Sequence, residues 1–435
     1  MEEIAVKVIP NRPKKKQQKI DFRFLSSAMG GFTLIMLLGF TEIPLGIEEK
    51  FLNSSPVLMT KVFASFIFGF LTEIIGRKYT LITLHFILVF SSGIREFCIL
   101  SLLDVAKYSR EIALCGALTI LPVYFGEISD KKYRGMLIAL VYSFYELGFH
   151  SFQWLAIFCP IVTAMSIAHY GTMISSMVMS VIFATTGRET LTYYLLREKF
   201  DLLKLTLENL KNLNVNTDPE LGDLMRKMKK SGNGNDIILL LPKSREWTKG
   251  ILILLSLILF NFCSGSYIIL NISHDYYSLP TDPIIPIGKT ILAFLCPLLV
   301  DGIGRIKCLM YSFSLMLLNL SLISIMTLYK IDYFGPNAAI MLECSFLIAC
   351  NTGMVPLQLV FQGELFPMKM KMVLAATTTA IFFFLKCLSV DIEYNLFSLT
   401  MSVISCVVAL ITVKFYYVET RRRSLNEIQS ILNKI

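Results

Sequence analysis

The sequence predicts an all-α polytopic membrane protein whose twelve transmembrane helices form two pseudo-symmetric six-helix bundles. Three observations predict it. Hydrophobic residues make up 54% of the 435 residues and charged residues only 17%, with a mean hydropathy of +0.62; this exceeds what a soluble core needs. The polar stretch 188–249 divides the chain, with six apolar runs on each side, each long enough to cross a hydrocarbon layer of ~30 Å. Matching acid–glycine–arginine motifs then stand at corresponding places in both halves. The apolar runs are continuous rather than alternating, which disfavours a β-barrel.

The spans are expected at about 25–46, 57–75, 79–101, 110–127, 135–157, 162–185, 250–272, 284–303, 307–328, 337–361, 372–390 and 394–417. The chain divides into a cytoplasmic segment 1–24, a first bundle 25–187, a central linker 188–249, a second bundle 250–417 and a tail 418–435. Within the linker, Tyr193 to Leu213 has the spacing of an amphipathic helix at the membrane surface, ended by the turn-forming Ser231-Gly232-Asn233-Gly234-Asn235.

Lysine and arginine set the orientation. They stand at Lys14 to Lys16, Arg77-Lys78, Lys131-Lys132-Arg134, the linker, Arg305 with Lys307, Lys369 with Lys371 and Arg421 to Arg423. The alternate connections, such as Glu48-Glu49-Lys50 and Asp391-Glu393, are poorer in bases. Both termini are therefore expected in the cytoplasm, with the protein in the cell membrane. Asn53-Ser54-Ser55 is a glycosylation sequon that falls outside. The +9 net charge lies in these connections, so it serves orientation and no nucleic-acid partner is expected.

Charge chemistry concentrates at the inner ends of the spans. Glu73, Gly76 and Arg77 follow span two as Asp301, Gly304 and Arg305 follow span eight. Glu127 with Arg134 follows span four as Glu364, Lys369 and Lys371 follow span ten. Glu73, Arg77, Glu127, Arg134, Asp301, Arg305 and Glu364 are thus the expected gate residues: their pairs can form in one conformation and part in another. Inside the spans, Glu146 sits mid-span five with His150 one turn along; a charge there costs about 2.5–3.5 kcal/mol and needs a reason. It is taken as a pocket-lining group or a helix–helix hydrogen bond. Glu42 and Lys61 lie nearer the outer ends, where they are expected to reach the interface. The 10 cysteines lie mostly in apolar runs without paired spacing, as small buried hydrophobes. No metal site, cofactor, phosphate loop or nucleophile elbow appears, so neither a pump nor an enzyme is expected.

At these motifs the chain resembles the sugar porter family of the major facilitator superfamily, most closely the facilitated trehalose and hexose transporters of insects. The residues that carry the resemblance are Gly69 to Lys78, Pro122 to Gly135, Asp301 to Arg305, Gly363-Glu364-Leu365-Phe366-Pro367 and Glu419 to Gln429, in family order across essentially the whole chain. Arg188-Glu189-Thr190-Leu191 resembles a worn copy of the family's Pro-Glu-Ser-Pro signature. The resemblance implies alternating access and a midplane sugar site. The family's span-seven amides fall on Asn261 and Phe262, the span-five glutamine on Tyr142, the span-ten Pro-Trp region on Val355 to Leu359 with Gln358, and the span-eleven Asn-Trp on Phe382-Phe383. Tyr142, Glu146, Asn261, Phe262, Gln358 and Phe382 are the expected binding residues for a sugar or polyol, the other partner being the lipid bilayer. The position where proton-linked members carry an acid falls near Leu37, so a facilitator is expected. Depletion of amides leaves a second reading, a non-transporting sensor or scaffold.

Overall fold

The computed structural model describes residues 22–42, 54–97, 100–197, 199, 201–203, 205–206, 245–264, 284–329, 345–346, 348–389 and 396–434. Among them there is no β-strand. The first bundle contains α1 (Phe22–Phe40), α2 (Ser55–Ile75), α3 (Arg77–Glu96), α4 (Leu103–Ile128), α5 (Arg134–Phe158) and α6 (Ile161–Thr186). A short α7 (Leu191–Leu196) follows. The second bundle contains α8 (Arg245–Cys263), α9 (Ile284–Ala293), α10 (Leu295–Ile303), α11 (Arg305–Tyr329), α12 (Val355–Glu364), α13 (Lys371–Ser389) and α14 (Leu396–Tyr416), and α15 (Leu425–Lys434) closes the chain. Seven helices are long and apolar enough to cross a membrane, and Thr248–Cys263 and Thr290–Ile303 are shorter apolar stretches. The α2 stripe Phe63, Phe66 and Phe70 is exposed, as a lipid-facing side requires, while small and polar Ser65, Gly69 and Thr72 face inward.

Glycine places the turns. Gly76 separates α2 from α3 at φ 109°, and Gly304 separates α10 from α11 at φ 108°, backbone that side chains with a Cβ rarely adopt. The same reversal thus occurs in both halves. Within the halves α1 packs on α5, α3 on α6 and α11 on α14. Between the halves α2 packs on α13, and α5 packs on α9 and α10.

Several expectations are corrected. Span three ends at Glu96 rather than 101, and span four begins at Leu103 rather than 110. Arg110 and Glu111 lie inside α4, 1% exposed each, because they are paired there. Span eight is broken at Phe294 between α9 and α10. Span ten carries a π-helical turn, Cys350–Met354, before α12. The linker helix breaks at Arg197; Tyr193 and Leu195 are buried, and the Tyr193 hydroxyl donates to the Ile74 carbonyl at 3.0 Å. Residues 191–196 therefore pack on the end of the first bundle, helix resumes at 201–203 and 205–206, and the rest of the expected helix to Leu213 lies outside the described residues. Residues 207–244, the sequon at Asn53 and most of the N-terminal segment lie outside the described residues.

Candidate functional site

The end of the bundle that carries the Gly76 and Gly304 turns is built from two copies of one arrangement. In the first half, Glu189 accepts from the backbone N–H groups of Arg77 (3.1 Å) and Lys78 (3.0 Å), capping the first turn of α3. The Arg77 guanidinium, 0% exposed, reaches Glu127 at 3.4 Å and Glu73 at 3.5 Å. In the second half, Glu419 accepts from the N–H groups of Arg305 (3.1 Å) and Ile306 (3.2 Å), capping α11. Arg305, also 0% exposed, forks onto Glu364 with contacts of 2.7 and 3.3 Å and holds Asp301 at 2.8 Å. Glu364 accepts a further bond from the Thr420 hydroxyl at 2.5 Å. Burial pushes the Glu189 carboxyl above its ordinary range, and its backbone donors and Arg77 oppose that shift. Six of the seven predicted residues at helix junctions (Glu73, Arg77, Glu127, Asp301, Arg305, Glu364) are thus brought together in two clusters, and the seventh, Arg134, reaches the Arg423 carbonyl instead.

The clusters meet across the halves. Asp301 accepts from the Met136 N–H at 2.8 Å, so an acid of the second half caps α5 of the first. Arg134 donates to the Arg423 carbonyl at 3.4 Å. Lys371 lies buried between Glu127 and Glu364; it follows Glu364 by seven residues, as Arg134 follows Glu127. Helices α4 and α12 cross at glycines: a Cβ on Gly126 would sit 2.7 Å from the Gly363 carbonyl oxygen, and one on Gly363 would sit 2.5 Å from that of Pro122. The two halves are in direct contact at this end of the bundle.

Near the middle of the bundle, span ten carries three amides. Asn351 in the π turn accepts from the Tyr142 hydroxyl of α5 at 2.7 Å, a contact between halves. Gln358, seven residues on, accepts from the Asn261 amide of α8 at 3.2 Å. Gln362, one turn further, donates to the Thr379 hydroxyl of α13 at 3.0 Å. The Ser143 hydroxyl adds another bond between halves, to the Ala293 carbonyl at 2.6 Å. Phe32 stacks on Phe144 (centroids 4.6 Å apart), and Phe144 meets Phe294 edge-on at 5.9 Å. Tyr142, Asn261 and Gln358 therefore join one polar strip, and Glu146, in reach of the Tyr142 hydroxyl, pairs with His150 at 3.3 Å. Phe262 is half-buried on a different face of α8, since successive helical residues diverge. Phe382 is half-buried and packs edge-on against Phe383.

A third cluster corrects the expectation for Glu42 and Lys61, which pair internally rather than reaching the interface. Lys61 bonds Glu111 at 2.6 Å and lies over the Phe383 ring at 5.3 Å. Arg110 contacts Glu111, donates to Glu42 at 3.0 Å and to the Leu38 carbonyl at 2.9 Å. Tyr145 completes the cluster on Glu42. Two acids and two bases balance, as buried charge requires. The sequence motifs included Glu189 and Glu419 without giving them a role, and Arg110, Glu111, Asn351 and Gln362 were not singled out. A signal existed for the first two, because Glu-Thr recurs at 189–190 and 419–420.

Comparison with known proteins decides the family. The model of the family described as "Sugar (and other) transporter" matches residues 51–432. The chain belongs to this sugar transporter family. A curated member, sugar transporter ERD6 of Arabidopsis thaliana, is 23% identical over 94% of this chain and 84% of that protein. Sugar transporter family membership makes the chain a multi-pass transporter rather than an enzyme. Solved structures share the fold. The proton:xylose symporter XylE bound to 6-bromo-6-deoxy-D-glucose gives a TM-score of 0.70 at 14% identity, covering 94% of this chain and 99% of that one. Inward-open XylE from E. coli gives 0.63 at 15% identity with the same coverage. The human organic anion transporter MFSD10 gives 0.57 at 11% identity, covering 96% of this chain and 99% of that one. The twelve-span major facilitator fold is therefore the fold of this chain, whereas a special likeness to insect trehalose carriers rests on the motifs alone.

Proposed function

We propose that the protein is a facilitative carrier of a sugar or polyol of trehalose or hexose size, acting in the cell membrane with both termini in the cytoplasm. The two halves, 25–187 and 250–417, rock about the polar strip of span ten, and the linker 188–249 and tail 418–435 support the inner gates. The observation that carries this reading is the duplicated Arg77 and Arg305 clusters joined across the halves by Asp301. Such ion pairs form and part as the halves rock, which is the requirement for alternating access. The candidate solute contacts are Tyr142, Glu146, Asn261, Phe262, Gln358 and Phe382. The buried Leu37 at the position of the family's proton-linked acid favours facilitated movement over proton coupling. Radiolabelled trehalose and glucose uptake in oocytes tests the reading: saturable uptake is expected, with weak affinity for glucose because few amides remain. Epitope tags at Met1 and Ile435 should stain only in permeabilised cells.

A further inference from the structure

We propose that Ser424 is a phosphorylation site, and that its phosphate ties the tail of the second half to the basic loop 131–134 of the first. The inference rests on the cytoplasmic placement of the tail proposed above. Arg421-Arg422-Arg423 stands directly before Ser424, and Leu425 follows it. A run of arginines ahead of a hydroxyl is the charge pattern that the acidic groove of a basic-directed serine kinase reads. The Ser424 N–H donates to the Glu427 carboxylate at 2.8 Å, and the Ser424 hydroxyl accepts from the Glu427 N–H at 3.3 Å, a reciprocal cap on α15. Ser424 is 7% exposed, so a kinase meets it only once the first turn of α15 has unwound. That opening is local. Residues 417–424 carry no helix, and α15 is only ten residues long, marginal by itself. Arg422, exposed, stands at φ 55°, a left-handed conformation that a side chain with a Cβ adopts at a cost and that opening relieves.

The step is phosphoryl transfer from ATP. The Ser424 Oγ bonds to the γ-phosphorus as the bond from that phosphorus to the β,γ-bridging oxygen breaks. ADP leaves, and the hydroxyl proton passes to the carboxylate base of the kinase. The product carries a charge of about −1.5 to −2 and three strong acceptor oxygens. Bases of the first half stand beside it. Arg134 donates to the carbonyl of the adjoining Arg423 at 3.4 Å. The bond from the Ser424 N–H holds the Glu427 carboxyl below its ordinary range, and Lys131 and Arg423 lower it further. Glu427 is exposed, so like-charge repulsion turns it out to solvent when the phosphate arrives. The phosphate then caps α15 itself and takes Lys131 and Arg134 as partners. Helix α15 packs on α8 of the second half, while Lys131 and Arg134 belong to the first. One modified side chain thus bridges the halves, and its charge-assisted bonds must break each time they rock.

The test treats the purified full chain with ATP and the catalytic subunit of cyclic-AMP-dependent protein kinase, and maps the modified residue by mass spectrometry. Phosphate should appear on Ser424. Arg421→Gln combined with Arg422→Gln should slow its incorporation about tenfold, as the loss of ion pairs to an acidic groove implies. The phosphorylated protein should melt higher and, reconstituted in vesicles, take up trehalose or glucose about three- to fivefold more slowly at saturation. Lys131→Gln should accept the phosphate and lose most of both effects; Ser424→Ala should show neither. If Ser424→Ala does not fold, Lys131→Gln carries the test. No phosphate on Ser424, or phosphate confined to other serines such as Ser231 after Lys229-Lys230, would overturn the site. Phosphate on Ser424 with melting unchanged and uptake unchanged or faster would overturn the bridge. Melting reads the bridge without any solute, so a melting shift with no uptake in any form would keep the bridge and remove the carrier.

Discussion

Arg110, Glu111, Lys61 and Glu42 show how a single residue pair decides what a span tolerates. Each charge alone in hydrocarbon costs about 2.5–3.5 kcal/mol; here each acid meets a base. Lys61→Met leaves Glu111 with one partner fewer and Glu111→Gln leaves two bases short of an acid. Each is expected to destabilise by about 3–5 kcal/mol, and the double variant by clearly less than the sum. Melting of the purified protein measures this, and singles that melt like the wild type would show the pair to be idle. In the second-half cluster, Arg305→Lys replaces a fork on Glu364 and Asp301 by a point charge. Turnover should fall about tenfold, corresponding to one charge-assisted hydrogen bond, with KM and surface expression unchanged. A shifted KM would place Arg305 at the solute instead.

Helix crossings explain how far the elements were legible beforehand. The apolar runs and the repeated Gly-Arg turns were readable because length, charge and positive φ are local properties. The start of α4 was not, because Arg110-Glu111 looks like a membrane boundary until the partners on α1 and α2 are known. The π turn was not readable either, since its cause is the Ser312 staple from another helix. The clustered acids Glu73, Glu127, Asp301 and Glu364 were legible through duplication, while Asn351, with no counterpart motif, was not. The α1–α5 crossing offers a test at this scale. A Cβ on Gly39 would lie 2.2 Å from the Tyr145 carbonyl oxygen and one on Gly148 would lie 1.9 Å from that of Met36. Gly148→Ala must push the helices apart, and a lower melting temperature is expected; an unchanged one would mean that the crossing is looser than described.

For the whole molecule, the contact between the halves at the Gly76 and Gly304 end rests on α4 against α12 and on the Asp301 cap of α5. Gly363→Ala would drive a Cβ against the Pro122 carbonyl and the Ile138 side chain, so it should bias the protein toward an open inner side. A cysteine placed by Ile138→Cys, buried in this conformation, should then react faster with a maleimide applied to inside-out vesicles. Equal rates with and without Gly363→Ala would show that the glycine crossing does not hold the gate. If the two halves alternate around one solute site, solute on one side of the membrane must exchange for solute on the other. Counterflow tests it most directly: oocytes expressing the full chain are preloaded with unlabelled trehalose and given a trace of labelled trehalose outside, and the experiment is repeated with glucose. Saturable uptake that preloading accelerates is expected; uptake linear in concentration and indifferent to preloading, with the protein at the surface, would rule out alternation around one site.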